Sequence, residues 1–137
     1  MPTFRHGRNT VFKVQDSAGT LQDISNVMRD VSLPVSIDTP ETTAFGSGTK
    51  TYVIGIKDAK LSGSGMFDAA TDAILQGIFG MEAARGFEYG PEGSTATRVK
   101  YSGSLYLTGY TISGSVSDMV AASFEFQITG DVTRGTW

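Results

Sequence analysis

Residues 120–132 read VAASFEFQITGDV. Val120, Ala122, Phe124, Phe126 and Ile128 fall on one parity; Ala121, Ser123, Glu125, Gln127 and Thr129 fall on the other. Successive side chains of a strand point to opposite faces, so this alternation predicts a long strand with one face in a core and one in water. Such half-wetted strands belong to antiparallel sheets. After Gly130, residues 131–137 read as a C-terminal tail. Its last residue, Trp137, is a large apolar side chain that needs a surface to dock on.

The same periodicity recurs upstream. In residues 29–38, Val31, Leu33, Val35 and Ile37 alternate with Ser32, Pro34 and Ser36. Pro34 cannot donate to a ladder, so that strand is expected at a sheet edge or at a bulge. TVFKV and TLQDI around Asp16 and Gly19 predict a hairpin. KTYVIGIK is apolar on both parities and predicts a central, covered strand. GFEYG reads as a further strand, and residues 98–116 carry strand signals broken by glycines. One segment changes period. Asp68 is a good N-cap, Ile74 stacks with Ile78 and Leu75 with Phe79, and Gly80 suits the residue after a helix end. The predicted fold is mainly β: an antiparallel sandwich or barrel with one flanking helix over about residues 68–79.

At 137 residues the chain suits a single domain. It has no cysteine, which excludes disulfides and thiolate metal sites. The opening MPTFRHGRNT has no long apolar run and reads as a basic N-terminal arm over about residues 1–10, not a secretory signal. No run of about 20 apolar residues predicts a membrane helix. The net charge of −3 argues against a chain that grips nucleic acid as a whole. Arg5, Arg8 and Lys13 lie at the start without an acid among them. Residues 14–49 carry Asp16, Asp23, Asp30, Asp38 and Glu41 against Arg29 alone. Unlike charged ends suit head-to-tail self-association, and ordinary scatter of solvated charge explains the counts about as well.

Residues 38–49, DTPETTAFGSGT, have no apolar period and read as a long loop. AFGSGTKT within and beyond it has the flavour of a phosphate loop and fails the pattern. Gly46 and Gly48 are one residue apart, Thr49 precedes Lys50, and a strand follows where a helix N-terminus is needed. LSGSGMF does precede the helix, but the Asp68 carboxylate occupies that N-terminus. His6 is the single histidine, without metal-ligand spacing or a platform for a nucleophilic triad. Glu88 and Glu92 have nothing to distinguish them from surface carboxylates. No catalytic, cofactor-binding or metal-ligating residue is identified, and no enzyme activity is expected.

Four stretches, taken in order, resemble the major tail tube proteins of long-tailed bacteriophages. They are LQDISNVMRDVSLPVSID, ETTAFGSGTK, YVIGIKDAKLSGSGMFD and YSGSLYLTGYTISGSVSDMVAASFEFQITGDVTR. The resemblance covers about residues 20–134, with Ile56 standing where leucine is commoner. It implies a β-sandwich or barrel with one flanking helix, hexameric rings that stack into a tube, and a virion tail assembled in the bacterial host cytoplasm. It implies partners too: further copies of the chain, and tape measure, tail terminator and tip proteins. DNA passes through such a tube without specific binding, past an acidic lumen.

Within that reading the loop is an arm that packs on an adjacent subunit. Its expected contact residues are Thr42, Thr43, Phe45, Gly46, Gly48 and Lys50, with Phe45 as the anchor and Arg5, Arg8 and Trp137 contributing from the termini. Ser123, Glu125, Gln127 and Thr129 are expected to face the lumen. Two alternatives stand beside it. One is a tube subunit of a related secretion system. The other is a monomeric β-sandwich binding module, for carbohydrate for instance, with Tyr101, Tyr106 and Tyr110 as a platform.

Overall fold

The computed structural model describes residues 3–46 and 48–137; the parts of the expected arms that fall on Met1, Pro2 and Ser47 lie outside them. The strands are β1 (Val11–Gln15), β2 (Leu21–Asp23), β3 (Met28–Ser32), β4 (Val35–Ile37), β5 (Lys57–Met66), β6 (Arg85–Gly90), β7 (Val99–Ser115) and β8 (Asp118–Thr136). The helix α1 spans Ala69–Ile78. All the strands join one antiparallel sheet in the order β2-β1-β6-β7-β8-β5-β3, with β4 pairing β5 beside β3. Among the described residues no helix is long and apolar enough to cross a membrane.

The sheet curls on itself. β1 and β8 stand three strand spacings apart in the order, about 14 Å in a flat sheet. Yet the rings of Phe12 and Phe126 meet at 5.8 Å between centroids. A cavity lined by Phe12 and Tyr89 on one side and by Met28 to Val31 on the other brings the two ends of the sheet together. A 3-10 turn, Ser25–Val27, carries the chain straight from β2 to β3 across that seam. The result is an open barrel. Its core holds Phe12, Val14, Leu61, Phe87, Leu105, Leu107, Phe124, Phe126 and Ile128 from the strands, Ile24 from the start of the 3-10 turn, and Leu75 and Ile78 from α1. The Phe124 and Phe126 rings meet edge to face at 5.4 Å, a favoured aromatic geometry.

The helix begins where its cap predicts: the Thr71 amide donates to the Asp68 carboxylate at 3.1 Å. Ile74 packs against the core, while Phe79, expected on the same stripe, is half exposed. Across the barrel wall, the Tyr110 hydroxyl donates to Asp72 on the helix at 3.0 Å. Burial, then this hydrogen bond and the carboxylate charge, push the Tyr110 hydroxyl up to about 12. At the β1–β2 turn the Asp16 carboxylate accepts from the Thr20 and Ala18 amides. The Thr20 amide, above all, holds Asp16 below the usual carboxylate range despite opposing desolvation, and Gln22 adds to it.

The structure redraws several boundaries. The 29–38 strand is two strands, divided at Leu33 and Pro34, both on the sheet edge as proline requires. The glycines of residues 98–116 do not break the strand. β7 is continuous for 17 residues and absorbs bulges around Gly103, Thr108 and Gly114. The stretch 131–137 is not a loose tail: β8 runs on to Thr136, paired with β7 from Val99 to Ser102. KTYVIGIK is not a central covered strand; it is half of an exposed ribbon.

Candidate assembly surfaces

Residues 38–56 continue the β4–β5 pairing out of the barrel as a two-stranded arm. The Asp38 amide donates to the Ile56 carbonyl at 3.2 Å, Val53 to Pro40 at 3.0 Å and Thr42 to Thr51 at 2.7 Å. Near the tip, the Thr51 amide donates to Thr43 Oγ1 at 2.9 Å. The chain reverses at Phe45 and Gly46, where φ is +86°, a conformation glycine alone adopts freely. Thr42, Thr43, Phe45, Gly46, Gly48 and Lys50 are all exposed. Phe45 is bare (108% exposed), as are Ile54 (77%) and Ile56 (80%), and Tyr52 and Val53 are half exposed. Neither face of this apolar ribbon is covered by the rest of the chain, and exposed apolar patches of this kind are typical of interaction surfaces.

The alternation of β8 holds. Ala122, Phe124, Phe126 and Ile128 are buried; Ser123, Glu125 and Thr129 are exposed and Gln127 is half-buried. Val120, on the core parity, is half exposed because the β7–β8 hairpin has by then run past the core. The Gln127 amide is engaged locally, donating to Asp58 Oδ1 at 2.9 Å and to the Ala59 carbonyl at 3.1 Å. Register places Ser62 opposite Glu125, Ser64 opposite Ser123, and Asp30 opposite Ser64 on the next strand. Ser64 Oγ donates to Asp30 at 2.8 Å. The outer face of β3, β5 and β8 is therefore a hydroxyl-rich field with Asp30, Asp58 and Glu125 against Lys60.

The segment Gly7–Thr10 and the C-terminal end of β8 fold onto their own barrel. Arg5 and Arg8 are exposed in a segment that makes a 3-10 turn, Gly7–Asn9, capped by His6 Nδ1, which accepts from the Arg8 amide. Thr10 Oγ1 then donates to the Pro91 carbonyl at 3.2 Å. Trp137 docks within its own chain, with its amide bonded to the Arg98 carbonyl at 3.0 Å. Its ring packs against the backbone of Gly90, and Lys13 and Lys100 each place a charge 5.2 Å from the ring centre. Cations over an indole face are attracted by its quadrupole. Lys100 also pairs with Glu88 at 3.5 Å.

The three tyrosines do not form one platform. Tyr101 lies tilted against Tyr89, with ring centroids 6.4 Å apart, and Tyr110 packs into the core beside α1. Tyr106 lies between buried Leu105 and Leu107 and so points to the opposite face. Among the described residues, no group of three or more His, Cys, Asp or Glu side chains is gathered as a metal site would need. One surface went unread in the sequence. At the β7–β8 hairpin end, Ile112, Val116, Met119 and Val120 are exposed, with Met66 and Phe67 beside them. The available signal was Val116, an apolar residue in the turn sequence SVSD.

No protein-family profile and no curated protein matches this sequence. Solved structures do match its fold. A chain from the tail of an empty gene transfer agent particle, refined with C6 symmetry, superposes with a TM-score of 0.78 at 19% identity, over 95% of this chain and 98% of that one. The SPP1 tail tube gives 0.76 at 13% identity, over 97% of this chain and 80% of that one. A chain of the sheath–tube complex of an extracellular contractile injection system, in its extended state, gives 0.66 at 15% identity, over 100% and 92%. The curled sheet with α1 is the fold this chain shares with those chains.

Proposed function

We propose that this chain is the structural subunit of a phage-type tail tube, and that its copies form stacked six-membered rings enclosing a channel for DNA. The carrying observation is the end-to-end likeness in fold to a chain of a six-fold tail. The bare arm supports it: an apolar ribbon with no cover in its own subunit needs another molecule. In this reading Phe45, with Thr42, Thr43, Gly46, Gly48 and Lys50 around it, grips a neighbouring copy, and Arg5 and Arg8 add contacts from the N-terminal segment. Trp137 holds the end of β8 so that this edge of the barrel keeps its shape for the neighbour.

The outer field of Ser123, Glu125 and Thr129, with Gln127 at its margin, faces the channel. Carboxylates there outnumber the one lysine, Lys60, so the face repels a phosphate backbone more than it grips it and DNA slides without being held. The role is structural, not catalytic. It places the protein in a virion tail built in the bacterial host cytoplasm, with tape measure, terminator and tip proteins as partners. The fold likeness to a contractile sheath–tube complex supports a second reading, the inner tube of a contractile machine.

Electron microscopy of the purified protein over a range of concentrations, with light scattering, tests the proposal. Stacked rings or tubes are expected. A protein that remains a monomer at every concentration and is absent from tails overturns it. A sheath around the tube in intact particles selects the contractile reading.

A further inference from the structure

The cavity at the barrel seam has the size and lining of a ligand site. Its volume is about 520 Å³, within the range of small-molecule pockets. Its chemistry is graded from depth to mouth. Phe12, fully buried, lies deepest, and Met28, Val31 and Tyr89 are half-buried in the walls. Arg8 and Arg29 are exposed at the rim, one from the segment before β1 and one from β3.

The other charged or titratable groups along the lining are His6, Asp30 and Tyr89. The Asp30 carboxylate is engaged on the outer face of the sheet, accepting from Ser64 Oγ at 2.8 Å. His6 Nδ1 accepts from the Arg8 amide at 3.1 Å, which leaves the other ring nitrogen to carry the proton as a donor. The one ion pair among the described residues joins Lys100 to Glu88, so no carboxylate of theirs neutralises Arg8 or Arg29 by contact. Burial, and next its interaction with Tyr101, raise the Tyr89 hydroxyl above its ordinary value, so it remains a donor at neutral pH.

From this arrangement we infer that the seam cavity is a binding site for an anionic amphiphile, a molecule with an apolar body and one carboxylate or phosphate head. The body fills the space over Phe12 between the Met28 and Val31 walls, and the head meets Arg8 and Arg29 at the mouth. A guanidinium presents paired N–H donors that match either oxyanion. A wholly apolar molecule would leave both guanidiniums without an anion, and a small inorganic anion would leave the apolar walls uncovered. The bound molecule touches β1, β3 and β6, and so ties the two ends of the sheet where no strand pairing joins them. It favours the closed barrel over any state in which the seam opens.

Decanoate, kept below its micelle-forming concentration, is the probe, titrated calorimetrically into dilute wild-type protein. Dilution keeps copies apart, so Arg8 is free of the neighbour contact proposed above and the outcome is independent of the tube reading. One decanoate per chain is expected, with a raised thermal midpoint. Decanol, the body without the charge, and acetate, the charge without the body, should each bind roughly tenfold more weakly or worse. Decyl phosphate is titrated in parallel, and the tighter of the two amphiphiles identifies the head the site prefers. Arg29→Gln should weaken decanoate roughly three- to tenfold and leave decanol unchanged. Arg29 is exposed, so circular dichroism of the variant should match the wild type. Val116→Ser, at the bare hairpin end, should leave decanoate binding as it is. The inference is overturned if neither amphiphile saturates a single site, if decanol binds as tightly as decanoate, or if Arg29→Gln binds like the wild type. Loss of binding in Val116→Ser overturns it too, by moving the site to the hairpin end.

Discussion

Gly65→Ala is the substitution whose sign most directly tests the barrel seam. Gly65 lies in β5 opposite Met28 of β3, at the edge where the sheet turns back on itself. An added Cβ would sit inside the contact shell of the Val27 carbonyl oxygen and 2.8 Å from Met28 Cα. Both neighbours are backbone, so no rotamer change relieves them. Reaching an ordinary carbon–carbon separation near 3.5 Å requires β3 to move by roughly 0.7 Å, and the carbonyl demands more. That displacement stretches the rungs at Met28, Asp30 and Val31 beyond good geometry. At about 1 kcal/mol net for each hydrogen bond, the loss is about 2–4 kcal/mol once the repacking of Met28 is included.

Chain entropy alone predicts the opposite, a gain of about 0.4–1 kcal/mol from restricting the unfolded state. Gly135→Ala is the matched control, because nothing lies within 4 Å of its added Cβ. Urea unfolding followed by tryptophan fluorescence measures both. Gly65→Ala should lower the midpoint sharply and Gly135→Ala should leave it unchanged or slightly raised. A Gly65→Ala protein as stable as the wild type means that β3 is not held at the seam as described.

Three further perturbations address other parts of the molecule. Tyr110→Phe should cost about 1 kcal/mol at neutral pH by removing the bond to Asp72. Because folding raises the Tyr110 hydroxyl from its ordinary 10.0 to about 12, its contribution is complete below pH 10 and is lost as pH rises from 10 to 12. Thermal melts across that window should steepen in the wild type relative to the variant, and parallel curves would refute the assignment. Trp137→Ala, which removes a half-buried indole from Gly90 and two lysines, should cost about 2 kcal/mol in a thermal melt. An unchanged melt would mean that the indole does not anchor the β8 terminus. In the proposed tube, with Glu125 facing its channel, Glu125→Lys should leave folding intact and make the assembled protein retain short duplex DNA, with retention falling steeply as salt rises. Tubes of this variant that hold no more DNA than wild-type tubes would place Glu125 away from the channel.

What the sequence revealed, and what it hid, follows from the physics of each element. The β8 alternation was legible because one face is packed and the other wet, so polarity records the pleat directly. Pro34 was legible because a missing donor is a local fact, and the chain breaks its edge strand there. The Asp68 cap was equally local. The apolar run from Tyr52 to Ile56 was not, since residues apolar on both parities describe a covered strand and an uncovered ribbon alike. The composition records that both faces avoid water without saying whose atoms exclude it. The glycines of β7 misled for a related reason: a bulge and a strand end have the same local composition, and only the partner strand distinguishes them. The exposed positions of the expected arm contacts became visible in the fold, whereas the bare hairpin end at Val116 announced itself through one misplaced apolar residue.

The distribution of surface chemistry narrows how copies of this chain can meet. An isolated 137-residue barrel gains nothing from bare apolar side chains at its two poles, the arm and the β7–β8 hairpin end; they invite aggregation unless something defined covers them. The polar field of β3, β5 and β8 carries no large apolar residue among Asp30, Ser62, Ser64, Ser123 and Glu125, so it has the chemistry of a surface that stays wet. It runs alongside the strands that separate the two poles. If copies join pole to pole, these fields align into a continuous hydrated stripe, whereas any contact that covered the stripe would bury three carboxylates against the single cation of Lys60. Axial growth through the poles and a wet face along the column are therefore one geometric consequence. A tube needs both, and a monomeric binding module needs neither.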